Sequence, residues 1–274
     1  MPMLVKAQIA NDSIDELDEL IIHENRMQSP FNQSTRNIQV KTKEDIKKLP
    51  VSSINGVLAY VSGVDIRQRG SFGSQADISI DGGSFEQTMV LWNGVKMGDA
   101  QTAHHSMNLP IPLEAIERIE VLKGPAARIY GINALTGAIN IVTKTQTDDF
   151  LNLHAYGGSS FKNKESGDGN GMYAGGGLQT TAGINTGKVN HLFSIGKDET
   201  NGQRYNTAAK NLKTMYQGNV ALNDNNSVNW MGGYLDNEFG ANGYYAAPHD
   251  KESYEIVQTL LLSIGSKHQI TDNL

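Results

Sequence analysis

The side chains suited to chemistry are few and scattered. His104 and His105 are adjacent, a pairing that suggests a metal site. In a strand, neighbouring side chains point to opposite faces, so the pair chelates poorly unless the backbone kinks. Hydrogen bonding to a ligand or a neighbouring wall is the expected use. Gly167-Asp-Gly-Asn-Gly171 lacks the spaced carboxylates and closing glutamate of a calcium loop and reads as a plain loop. Asp65, Asp77 and Asp81 fall in glycine-rich, strand-like stretches with no base or metal ligand to pair with. Glu114, Glu117, Arg118, Glu120, Lys123 and Arg128 form a charged group which, on residue type alone, reads as a solvated face. There is no cysteine, which excludes disulfides and thiolate metal sites. Gly-x-Ser-x-Gly, a lysine-bearing phosphate loop and His-Glu-x-x-His are also missing. No enzyme, metal site or cofactor is expected.

Composition narrows the class further. Of 274 residues, 38% are hydrophobic and 19% charged, the balance of a folded chain rather than a disordered one. A net charge of −6, with no basic run, argues against nucleic acid as a partner. The 29 glycines, concentrated after Gly56, favour many short strands over long helices. No stretch approaches the roughly 20 apolar residues of a membrane-spanning helix, which leaves insertion by a barrel open. The opening Met1-Pro-Met-Leu-Val-Lys-Ala-Gln reads equally as the stump of a signal peptide or as an arbitrary start.

The elements that must position these residues fall into three zones. Residues 1–36 are polar, apart from one acidic-apolar patch. Residues 37–145 read as α+β. Ile38-Gln-Val40 alternates as a strand, and Thr42-Lys-Glu-Asp45 caps a short helix. Pro50 interrupts it, and a second helix carries Ile54, Val57, Leu58 and Val61 on one face until Gly63. Val64–Ile66, Ala76–Ile80, Thr88–Trp92, Arg118–Leu122 and Ala138–Thr143 are strand-like, and Asn93-Gly94 is a strong turn signal. Pro110 and Pro112 open a short helix through Ala115, and Pro125–Tyr130 forms one helical turn.

Residues 146–274 change rhythm. Candidate strands cover 149–157, 171–182, 188–198, 212–222, 227–239 and 253–270, with long and short gaps tending to alternate. Tyr216, Val220 and Leu222 oppose Gln217, Asn219 and Ala221; Ile256, Leu260, Leu262 and Ile264 oppose Thr259 and Ser263. Apolar residues toward lipid and polar ones toward a lumen are the pattern of a transmembrane barrel. A soluble β-sandwich also alternates, but strands of ten or more residues suit a tilted membrane strand better. About six strands cannot close around a domain of roughly a hundred residues, since plugged lumens go with about 22. Partner strands are therefore expected beyond residue 274.

The run Ile116-Glu-Arg-Ile-Glu-Val-Leu-Lys-Gly-Pro-Ala-Ala-Arg-Ile-Tyr-Gly-Ile-Asn-Ala-Leu-Thr-Gly-Ala-Ile-Asn-Ile-Val-Thr-Lys144 resembles the closing half of the plug of TonB-dependent outer-membrane receptors. Leu49–Val64 is similar to its first helix and turn, and Ile80-Asp-Gly82 and Val90–Val95 to its central hairpin. The order and spacing of these blocks match over 37–145, nearest the vitamin B12 and siderophore branch. The resemblance implies an α+β plug domain followed by antiparallel transmembrane β-barrel strands, the barrel incomplete, in the bacterial outer membrane. It implies energised uptake of a bulky nutrient, a cobalamin-like corrinoid or an iron–siderophore complex. The rival readings are a non-transporting receptor remnant and a secreted β-rich enzyme.

By the same resemblance, Leu17, Asp18, Glu19, Leu20, Ile21 and Ile22 form a TonB box, a segment that pairs with a periplasmic TonB-type energising protein by adding a strand. The outward plug tips would meet ligand through Asp81, Phe85, Glu86, Gln87, Met97, Gln101, Thr102, His104 and His105. Glu117, Arg118, Glu120, Lys123 and Arg128 would form the ion-pair interface between plug and barrel wall. Two positions depart from the family pattern: Asp81 stands where arginine is common, and Asn93 where aspartate is frequent. An aspartate at 81 would repel an anionic ligand.

Overall fold

The computed structural model describes residues 21–22, 29–30, 37–71, 73–99, 101–126, 130–145, 148–223, 225–244 and 250–269. The chain forms two compact units, Met1–Thr35 and Arg36–Leu274. In the first, β1 (Ile21–Ile22) pairs antiparallel with β2 (Ser29–Pro30). Leu17–Leu20 of the expected box lie outside the described residues, as does Arg128.

The second unit opens with the expected α+β part. β3 (Ile38–Thr42) runs into α1 (Lys43–Lys48). The Thr42 hydroxyl accepts from the Asp45 amide at 3.3 Å, and the Asp45 carboxylate accepts from the Thr42 amide at 3.2 Å. This reciprocal cap satisfies two donors that the helix start leaves orphaned. α2 (Ile54–Leu58) is capped by Ser53 and buries Ile54, Val57 and Leu58, and Val61 just beyond it. β4 (Val64–Gln68) and β5 (Ala76–Ile80) pair as a separate two-stranded sheet. β6 (Thr88–Trp92), β7 (Val95–Met97), β8 (Ile116–Lys123) and β9 (Gly137–Thr143) join β3 in one mixed sheet, ordered β3-β8-β9-β6-β7. The β6–β9 pair is parallel and the others antiparallel. Every residue of β9 is buried, as a strand covered on both faces requires. After Pro112 the chain makes only a 3₁₀ turn, Leu113–Ala115, because strand β8 begins at once at Ile116.

Six long antiparallel strands follow: β10 (Phe150–Asn163), β11 (Met172–Asn185), β12 (Val189–Thr200), β13 (Ala209–Asn223), β14 (Asn226–Gly240) and β15 (Tyr254–His268). They pair in chain order, each 12–15 residues long. Connections of three and two residues (186–188, 224–225) lie at one end. Longer ones (164–171, 201–208, 241–253) lie at the other. The two faces differ in kind. Leu260, Leu262 and Ile264 are 69%, 77% and 78% exposed, and Leu151, Leu178, Phe193 and Ile195 lie on the same outward side. The inward side carries Gln179, Thr181, Ser194, Asp198, Asn211, Gln217 and Asn237, all buried. An apolar exterior over a polar interior is the pattern of a barrel wall in lipid. The main core of the α+β part also takes in Leu192, Met215 and Met231 of this wall, so the two parts pack together.

Candidate functional site

After β7 the chain leaves the sheet as a loop, Gly98–Asn108. Asp99 organises its start: its carboxylate accepts from the amides of Gln101 (3.0 Å) and Thr102 (3.1 Å) and from the Thr102 hydroxyl (2.6 Å). Partial burial alone would raise the Asp99 pKa. The hydrogen bonds from Thr102 and Gln101, with the charge of His105 nearby, outweigh burial and hold it below the ordinary aspartate value. Farther along, His104 Nδ1 lies 2.7 Å from the Asp77 carboxylate of β5. A carboxylate only accepts, so Nδ1 carries the proton. Phe85 stacks on the His104 ring at 4.4 Å between centroids. His105 Nε2 lies 3.4 Å from Glu255 of β15, and its ring lies 6.4 Å from Phe239. The loop and the Tyr254–Leu260 stretch of β15, the edge strand of its sheet, bound an open cleft of about 950 Å³.

Of the residues expected to face ligand, Met97, Gln101, Thr102, His104 and His105 come together around this cleft, and Phe85 backs it through His104. Asp81, Glu86 and Gln87 do not line it. Asp81 takes a left-handed turn conformation (φ 47°) and pairs with Lys123 at 3.1 Å. An aspartate already neutralised by lysine cannot set the charge of a cleft it does not line. Gln87 uses its side-chain carbonyl to accept from the Ser84 amide at 3.2 Å, and Glu86 is exposed on the same 3₁₀ turn. Asp99 and Glu255 were not singled out from the sequence. The Asp99-to-Thr102 spacing is an Asx-turn signal that would have flagged the first. Only the register of β15 reveals that Glu255 faces inward.

Four of the five residues expected between plug and wall are described, and they have these partners. Glu117 pairs with Lys43 at 3.0 Å, Arg118 with Glu120 at 2.8 Å, and Lys123 with Asp81, all within the α+β part. Glu120 also accepts from Asn140 at 2.9 Å, and Asn140 accepts from the Gly94 amide at 3.0 Å. Of these ion pairs only Arg118–Glu120 lies within β8; the others reach α1 and the turn after β5. Contact with the wall runs through other groups. Asn93 (φ 49°) donates to Thr143 at 2.7 Å and to Gln217 of β13 at 3.3 Å, and accepts from the Thr143 amide at 2.9 Å. Aspartate at 93 would lose both donations. The Gln217 side chain also bonds Thr143 and the Lys144 carbonyl. His154 of β10 meets Glu114 at 2.5 Å, and Asn237 of β14 donates to the Gly73 carbonyl. Gly73 (φ +76°) approaches Asn211 and Asn237 so closely that any side chain would collide with them. Among the described residues no cluster of three metal-ligating groups occurs.

A mixed-sheet domain seated on the polar inner face of long antiparallel strands with an apolar outer face is the architecture of a plugged outer-membrane receptor. Residues 30–138 match the family described as TonB-dependent Receptor Plug Domain. It is 27% identical to the vitamin B12 transporter BtuB of Vibrio vulnificus over 83% of this chain and 37% of that protein. It is also 27% identical to the vitamin B12 transporter BtuB of Photobacterium profundum over 90% of this chain and 40% of that protein. The chain thus spans about two fifths of these relatives. Its fold matches the ferric citrate transporter FecA in the unliganded form (TM-score 0.69, 19% identity, 87% of this chain and 38% of that one). It also matches a mutant of the ferric enterobactin receptor of Pseudomonas aeruginosa (TM-score 0.64, 19% identity, 87% of this chain and 39% of that one). These relatives are receptors and transporters rather than enzymes.

Proposed function

We propose that this receptor takes up a cobalamin-like corrinoid across the outer membrane, driven by a TonB-type protein that pairs with Leu17–Ile22. The observation that carries the reading is the cleft of about 950 Å³ formed by the Met97–Asn108 loop against β15. Its lining mixes apolar Met97 and Val257 with hydrogen-bonding Gln101, Thr102, His104, His105 and Asn108, which suits a large ligand with amide edges. Similarity to the vitamin B12 transporters over most of this chain supports the same class. The outer membrane holds no ATP, so the work of import must arrive mechanically. Strand addition at Leu17–Ile22 supplies a grip made of main-chain hydrogen bonds. Ligand and energising protein then act at two separate sites, joined by a coupling free energy.

The test titrates cyanocobalamin, a panel of ferric siderophores and haem against the receptor in detergent, and follows uptake in cells. Tight binding of cyanocobalamin is expected. Deleting Leu17–Ile22 is expected to abolish uptake while leaving binding in place. Binding of iron complexes alone would overturn the corrinoid assignment, and uptake that survives the deletion would overturn the coupling.

A further inference from the structure

The fixed charges of the cleft lining are acidic, with His104 and His105 beside them. Its described lining contains two carboxylates, Asp99 and Glu255, and neither lysine nor arginine. Of the cations beyond the lining, Arg69 lies 3.9 Å from Asp77, whereas Lys96 flanks the lining residue Gly98. Each lining histidine meets an acid, His104 with Asp77 at 2.7 Å and His105 with Glu255 at 3.4 Å. The two acids come from different elements, Asp99 from the loop and Glu255 from β15, and both line the cleft. Neither can readily turn away. Asp99 is fastened by three hydrogen bonds within its own turn, and the Glu255 side chain is only 22% exposed on the inward face of the sheet.

We propose that Asp99 and Glu255 form a charge filter that admits a neutral or cationic bulky ligand and turns away polyanionic iron complexes. The proposal rests on the reading that this cleft takes the transported nutrient, and adds the charge class it selects. A unit negative charge held about 8 Å from a carboxylate, at an effective dielectric near 30, is disfavoured about tenfold. An anionic ligand meets two such carboxylates, whereas a neutral one of the same size meets only their hydrogen-bonding capacity.

The experiment compares two matched pairs on the receptor in detergent. The first pair is cyanocobalamin and its monocarboxylic acid, in which one peripheral propionamide is hydrolysed to propionate at nearly constant size. The second is a cationic ferric hydroxamate complex and a trianionic ferric tris-catecholate complex. The reading is the ratio of dissociation constants within each pair, which cancels any general change in affinity. In the unmodified receptor the anionic member is expected to bind at least about tenfold more weakly, with the ratio shrinking as salt is raised. Glu255→Gln alone is expected to shrink the ratio about tenfold, and with Asp99→Asn added the ratio is expected to fall to within about twofold. A ratio near one in the unmodified receptor, or one unchanged in both variants, overturns the filter. If no corrinoid binds, the uptake assignment fails, and the filter stands or falls on the ferric pair.

Discussion

Replacing Gly233 by alanine tests how the plug seats on the wall. Gly233 lies in β14 on the inward face, and a Cβ there would stand 2.5 Å from Pro110 Cγ and 3.0 Å from Trp92 Cζ3. Carbon atoms prefer about 3.5–4.0 Å, so the deficit is about an ångström against one neighbour and half that against the other. Neither can yield cheaply. Pro110 is a ring, and Trp92 is fully buried with its indole N–H donated to Thr143 at 3.3 Å. Overpacking of this kind costs about 1–3 kcal/mol, or roughly 3–10 °C in apparent Tm. The control is the next residue. A Cβ on Gly232 would meet only Leu262 Cδ2 at 3.0 Å, the far end of a flexible side chain on the outward face, and Gly232→Ala is expected to change stability by less than about 0.5 kcal/mol. Both variants are melted in detergent beside the unmodified receptor. Equal effects at the two positions, or none at Gly233, would refute the assignment of the odd-numbered residues of β14 to the plug-facing side.

Glu120→Ala should destabilise the plug by about 3–5 kcal/mol, because it strips the partner from Arg118 and Asn140 in a buried network; Glu120→Gln, which keeps an acceptor, should cost less in the same melting assay. The Asp99 turn has a pH signature of defined sign. Its carboxyl sits below the ordinary value of 3.8, so its stabilisation is fully present above that pH and lost as pH falls through the lower folded value. Protection of the Gln101 and Thr102 amides, referred to the intrinsic exchange rate at each pH, should therefore fall as pH drops below about 3.8, and protection that does not fall in acid would refute the role given to Asp99.

The local elements were legible because they rest on nearest-neighbour chemistry. Thr42 with Asp45 specifies a helix start, and Asn93-Gly94 a left-handed turn. The period-two alternation of Ile256, Leu260, Leu262 and Ile264 marks one face of a strand wherever that strand lies. Motif order along the chain was enough to indicate the plug. What each charged side chain does was not legible. Arg118, Glu120 and Lys123 look from sequence like a surface available to a neighbour. Only the packing shows that Arg118 meets Glu120 and that Lys123 meets Asp81. The partner of Asp81 was not legible either: Lys123 lies 42 residues away along the chain. The cleft joins Asp99 and His105 to Glu255, about 150 residues later, through the register of a strand pair and the seating of one domain on another. The sequence by itself determined the elements, their order and the two faces of each wall strand, because propensity and periodicity act over a few residues. The tertiary structure alone decided which charges cancel and which face the cleft, because pairing between charges depends on distances that only packing sets.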